Sequence, residues 1–168
     1  MKYDDASWHY GGDLPKELPP EAGATHIAMF VSWCVLNGLG GEMHFEEPAP
    51  LLPKLRERSI TPGDYFIKAC DEKFVDEDLT DEGNAFATAY YDLEKGDYIR
   101  DYERILGQGA ASLYHVEDTW QNFDSWLLLF MNDMSRGRKR ANQTRQPTPV
   151  ERPVCSRAPS ARHRWAVP

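Results

Sequence analysis

The hydrophobic pattern is densest between Ala24 and Gly41, ATHIAMFVSWCVLNGLGG, and there it does not keep to one stripe. At helical spacing Ile27, Val31, Cys34 and Val35 fall on one side and Phe30 and Trp33 on another, with Ala28, Met29 and Leu36 between them. A helix that is apolar nearly all round is buried nearly all round. The pattern predicts a central helix over residues 24–39, ended by the backbone freedom of Gly40-Gly41, with the rest of the chain packed around it.

Shorter amphipathic patterns follow. Leu51, Leu52 and Leu55 share one face of a short helix over Leu51–Arg58. Thr61-Pro62 is a start signal, a capping hydroxyl before a proline at the first helical position, and Tyr65, Phe66, Ile67, Cys70 and Phe74 follow it. Thr80-Asp81-Glu82 opens another helix to about Leu93, with Phe86, Ala89, Tyr90 and Leu93 inward, which leaves Tyr91 as a candidate exposed tyrosine. Asp97–Leu106 turns Tyr98, Tyr102 and Ile105 inward. Val116, Trp120, Phe123, Leu127, Phe130 or Met131, and Met134 step along a last helix by three and four residues. No β-alternation of any length is visible.

Ahead of the central helix, Met1–Gly23 reads as an irregular arm. Gly11-Gly12, Pro15 and Pro19-Pro20 forbid a long helix, and Tyr3, Trp8 and Tyr10 are expected to dock on the central helix. From Ser135 the chain is rich in Arg, Pro and Ser with few aliphatics, a composition that cannot offset the entropy of ordering it. The expected architecture is mainly α: a single compact helical domain of about six helices over residues 1–134, with a disordered Arg/Pro-rich tail over 135–168.

Charge sharpens that division. Residues 1–134 carry 10 Lys and Arg against 26 Asp and Glu, a net −16, while 135–168 carry a net +8. So acidic a body repels nucleic acid and anionic membrane and attracts basic partners. The three cysteines, Cys34, Cys70 and Cys155, are odd in number and widely spaced, which suits free thiols in a reducing compartment. With no signal region and no long apolar run, the expected location is cytoplasmic.

The densest charge is Asp71–Glu82, DEKFVDEDLTDE. It starts like a calcium loop at Asp76-x-Asp78-x-Thr80, but Asp81 stands where the turn glycine belongs and Ala87 where the bidentate carboxylate belongs. The reading kept is an acidic docking surface of Asp71, Glu72, Asp76, Glu77, Asp78 and Asp81, with Glu46 and Glu47 second. His9, His26, His44 and His115 have no second ligand at i+3 or i+4, so no metal site and no cofactor is expected. His26 is expected to hydrogen-bond in the core near the arm. Nucleophile-elbow, phosphate-loop and dinucleotide motifs are absent, and no catalytic residue is assigned. The alternative is a small enzyme or a ligand- or metal-binding domain with a pocket between the arm and the central helix, drawing on Asp4, Asp5, Trp8, His9 and His26.

Four strings, KYDDASWHYGGDLP, PPEAGATHIAMFVSWCVLNGL, TPGDYFIKACDEKFVDEDLTDEGNAFATAYY and SLYHVEDTWQNFD, resemble an uncharacterised bacterial domain-of-unknown-function family that opens with K-Y-D-D-A-S-W-H. The resemblance spans about Met1–Leu127, and the tail departs from it. It implies a small cytoplasmic protein without an assigned catalytic residue, and some members resemble immunity proteins encoded beside secreted antibacterial toxins. The expected function is accordingly a non-enzymatic protein-binding protein, a cytoplasmic immunity protein whose acidic surface plugs a basic toxin domain.

Overall fold

Helix α2, Thr25–Leu36, is enclosed on every side: each residue from Thr25 to Val35 is buried. The computed structural model describes residues 1–46, 51–92 and 96–128. Around α2 lie β1 (Lys2–Asp5), α1 (Ala6–Tyr10), α3 (Leu51–Arg56), α4 (Pro62–Ala69), β2 (Lys73–Val75), α5 (Asp81–Tyr90), α6 (Tyr98–Leu106) and a final helix α7 at 120–128. Four 3-10 turns join them, at Pro20–Ala24, Glu42–His44, Asp76–Asp78 and Leu113–His115. The protein is mainly α, as the periodicity requires, with seven α-helices among the described residues.

The most extensive packing of α2 is against α4, and the turn at Pro20–Ala24 covers its start. The rest of its cover is aromatic. Phe30, fully buried, stacks on Phe86 and meets Phe74, Tyr91 and Tyr98 with ring centroids 4.7–5.7 Å apart. Trp126 of α7 closes the shell edge-on to Tyr98. Rings at these distances add offset and edge-to-face attraction to the area they bury.

Side-chain caps fix where α1, α4 and α5 begin. Thr61 accepts the N–H of Asp64 at 3.1 Å, with Pro62 at the first helical position. Both carboxylate oxygens of Asp118 also accept the Gly63 N–H at 3.0 Å, tying the segment before α7 to the start of α4. Thr80 caps α5 through Gly83, and Asp5 caps α1 through Ser7.

Several details depart from the sequence reading. Helix α2 ends at Leu36, because Gly38 supplies the left-handed residue (φ +79°) two positions before Gly40. Gly41 serves close approach instead: a Cβ there would collide with the Glu77 carbonyl, and its N–H donates to Asp78 O at 2.9 Å. The arm is not irregular. Strand β1 pairs antiparallel with β2, matching Asp4 with Phe74 and Asp5 with Lys73, and α1 follows. None of the three rings docks on α2 as expected: Tyr3 packs on Phe74 of β2, and Trp8 and Tyr10 are 53% and 42% exposed. Ala89 is exposed, whereas Tyr91 is buried: its backbone is still helical, its N–H donates to Ala87 O, and it extends the inward row of Gly83 and Ala87 by one turn. Trp126, on the inward face of α7, belongs to the core although the stepping pattern passed over it. Cys34 and Cys70 are buried free thiols. Leu93, residues 129–134, Cys155 and the whole tail at 135–168 lie outside the described residues.

Replacing Phe30 by Ala removes the ring on which the aromatic shell converges. The expected loss is about 3–5 kcal/mol of unfolding free energy, read as a lower denaturant midpoint with an unchanged slope.

Candidate functional site

Of the five residues proposed for a pocket beside the arm, three meet. Asp4 is the penultimate residue of β1, its side chain turned inward and fully buried, His9 lies on α1, and His26 lies on the first turn of α2. His9 Nε2 is 3.0 Å from Asp4 Oδ1, and His26 Nε2 is 3.5 Å from Asp4 Oδ2. The two imidazoles stand edge to face with centroids 4.6 Å apart. Asp5 and Trp8 do not join them. Asp5 caps α1 and pairs with Lys2 at 2.7 Å, and the Trp8 ring faces outward under the Lys2 ammonium.

Two further residues complete the cluster, and neither was legible as part of it. Tyr91 donates its hydroxyl to Asp4 Oδ2 at 2.7 Å, and the Tyr114 hydroxyl lies 3.0 Å from His9 Nδ1. The Asp5 N–H donates to Asp4 Oδ1 at 2.8 Å. Burial works to raise the pKa of Asp4, but the neighbouring His26 imidazole and the hydrogen bonds with His9 and Tyr91 outweigh it and hold the carboxyl far below the usual carboxylate range. Burial pushes His26 the other way, toward its neutral form, against the pull of Asp4. Around an ionised, buried Asp4 the arrangement can fix imidazole orientation, pass a proton between His9 and Tyr114, or hold a cation. Tyr114 also lines an open cavity of about 550 Å³ whose wall includes Thr25, Ile67 and the carboxylates of Glu21, Asp64, Glu117 and Asp118.

A second buried polar cluster joins the turns at Glu42–His44 and Asp76–Asp78. His44 Nε2 is 3.1 Å from Asp78 O, Tyr65 OH is 2.8 Å from His44 Nδ1, and the Cys70 thiol lies beside the Asp78 carboxyl. Asp78 itself is 1% exposed and accepts the Val75 N–H at 2.7 Å. It therefore cannot belong to a docking surface, as its place in the acidic run suggested. The 3-10 turn at 76–78 rotates it inward while its neighbours stay out. Asp71, Glu77, Asp81 and Glu46 are exposed; Glu72 is half-buried and accepts from Tyr10 OH, and Asp76 pairs with the N-terminal ammonium. Glu47 lies outside the described residues.

Asp78 makes a sharp pH prediction. Burial pushes its carboxyl up to about 6, against the pull of the Val75 N–H. The folded chain keeps a proton that the unfolded chain releases near pH 4, so this contribution is whole below about pH 4 and lost as pH rises through about 6. Asp78→Asn keeps the acceptor for Val75 and never ionises. Relative to this variant, the wild type should lose up to about 3 kcal/mol between about pH 4 and pH 7, measured by urea unfolding at each pH.

No curated protein matches the chain, and no solved structure does. One family model matches, over residues 2–116, a span that ends before α7 and short of the Leu127 limit expected from the resemblance. It takes in Asp4, His9, His26, Tyr91, Tyr114 and the whole acidic segment at 71–82. The chain belongs to the family described as domain of unknown function DUF7832.

Proposed function

We propose that the protein works by binding another protein, and that it is a cytoplasmic immunity protein neutralising a cognate antibacterial toxin through an acidic surface. The observation that carries the reading is where the exposed apolar side chains lie. Of the six large hydrophobic side chains exposed among the described residues, Met1, Trp8, Tyr10, Met43 and Phe45 belong to the two segments that border residues 71–78. On one side Asp76 N–H donates to Met1 O and Ala6 N–H to Glu72 O; on the other, Gly41 N–H donates to Asp78 O. Aromatic and methionine anchors among carboxylates fit a protein interface, the rings supplying desolvated contact and the charges steering a basic partner. A nucleic-acid-directed toxin is itself basic, so an acidic inhibitor would reach it quickly and cover its substrate surface. The carboxylates in this role are Asp71, Glu72, Asp76, Glu77 and Asp81, with Glu46 beside Phe45.

The test is association with the purified product of a neighbouring toxin gene. Reversing Asp71, Glu77 and Asp81 to lysine should lower the association rate roughly ten-fold and flatten its salt dependence, while Trp8→Ala with Phe45→Ala should mainly speed dissociation. Unchanged rates in both variants would show that this surface is not the interface. A second reading, a ligand- or metal-binding domain, is favoured by the meeting of Asp4, His9 and His26.

A further inference from the structure

We infer that Asp4, His9 and His26 form a binding site for a divalent transition-metal ion of the zinc class, with Tyr91 and Tyr114 as its outer hydrogen-bonding partners. The inference gives the second reading its ligand and is independent of the toxin-binding reading.

Three observations point to it. The first is the donor set, one carboxylate and two imidazoles whose ligand atoms lie within 4.8 Å of one another. Two histidines and one carboxylate with a position left over is the composition of open zinc sites and of two-histidine, one-carboxylate iron sites. His9 Nε2 lies 3.0 Å from Asp4 Oδ1 and His26 Nε2 lies 3.5 Å from Asp4 Oδ2, separations close to the ligand–ligand distance of about 3.3 Å around tetrahedral zinc, with one imidazole facing each oxygen of the carboxylate. At 3.5 Å the His26 contact is longer than a good hydrogen bond, and an ion between the groups would bridge it.

The second is what surrounds the donors. Ligating histidines have their other ring nitrogen held, and ligating carboxylates are themselves hydrogen-bonded. His9 Nδ1 rests on Tyr114 OH, Asp4 Oδ2 accepts from Tyr91 OH and Asp4 Oδ1 from the Asp5 N–H. With an ion on Nε2, His9 would donate from Nδ1 to the Tyr114 oxygen, a role this geometry already permits.

The third is charge. Asp4 is fully buried, and among the described residues no lysine or arginine forms an ion pair with it; its ion-pair partners are the two histidines. A buried carboxylate is stabilised by a partner of opposite charge or by a metal. Access runs along His9, whose side chain is 18% exposed while that of Asp4 is fully buried.

The experiment is isothermal titration of the full chain, freed of metal, with Zn²⁺. The expected result is one ion per chain at about 1 µM or tighter, with affinity lowered about 100-fold by His9→Gln or Asp4→Asn and about ten-fold by Tyr114→Phe. His9 is partly exposed and not in the apolar core, so His9→Gln tests the site without relying on a buried replacement. Zn²⁺ should raise the melting temperature of the wild type and not that of His9→Gln. Cys70→Ser, in the other buried cluster, and Cys155→Ser with His163→Gln, in the tail, should leave the affinity unchanged. The inference is overturned if no stoichiometric binding is found, if His9→Gln binds as the wild type does, or if the cysteine or tail variants abolish binding.

Discussion

Because α2 has no polar face, it cannot rest on one neighbour and leave its other side to water. Every direction around it must be filled, and the filling comes from nearly the whole chain: α4 along its length, the turn at Pro20–Ala24 at its start, Phe74 from β2, Phe86 from α5, Tyr98 from α6 and Trp126 from α7. This requirement draws the N-terminal segment into the body. Strand β1 adds to β2, and β2 carries the phenylalanine that packs on Phe30. Asp4 thereby arrives beside His26 on the first turn of α2. The polar cluster is a consequence of covering an apolar helix.

Two buried carboxylates show how local donors decide the state of the same chemical group. Asp4 has a backbone N–H, a tyrosine hydroxyl and two imidazoles around it, and together they overcome desolvation and keep it ionised. Asp78 has the Val75 N–H and the beginning of a histidine contact at 3.8 Å. There desolvation prevails and the carboxyl holds its proton to about pH 6. Below about pH 6 only the first site carries a full negative charge in the interior; above it Asp78 is charged as well.

The surface is organised by the same packing. Residues 71–82 look like one block of charge along the chain, but the fold treats its members separately. Asp71 and Glu72 adopt left-handed backbone (φ 51° and 60°) at the turn into β2, Asp78 is folded inward, and Asp81 starts α5. What remains outside is a thinner line of carboxylates, bordered by the apolar side chains of the N-terminal segment and of Met43 and Phe45.

The elements whose signals are local were legible without coordinates. The central helix, the caps at Thr61 and Thr80, the helix at Leu51–Arg56 and that at Tyr98–Leu106 each follow from spacing or from a hydroxyl one position before a helix. The naming of Asp4, His9 and His26 together rested on the proximity of arm and helix. The usual search for paired ligands one helical turn apart missed their geometry, because the three come from a strand, a short helix and a third element. Tyr114 and the inward turn of Asp78 had no signal along the chain, whereas the burial of Tyr91 and Trp126 follows helical spacing from Ala87 and Phe123. Periodicity and capping depend on neighbours within about four residues, so sequence determined which segments are helical and which helix must be buried. Which segments meet depends on contacts between residues as far apart as Asp4 and Tyr91, which only the tertiary structure decided, as the packing around α2 brought them within reach.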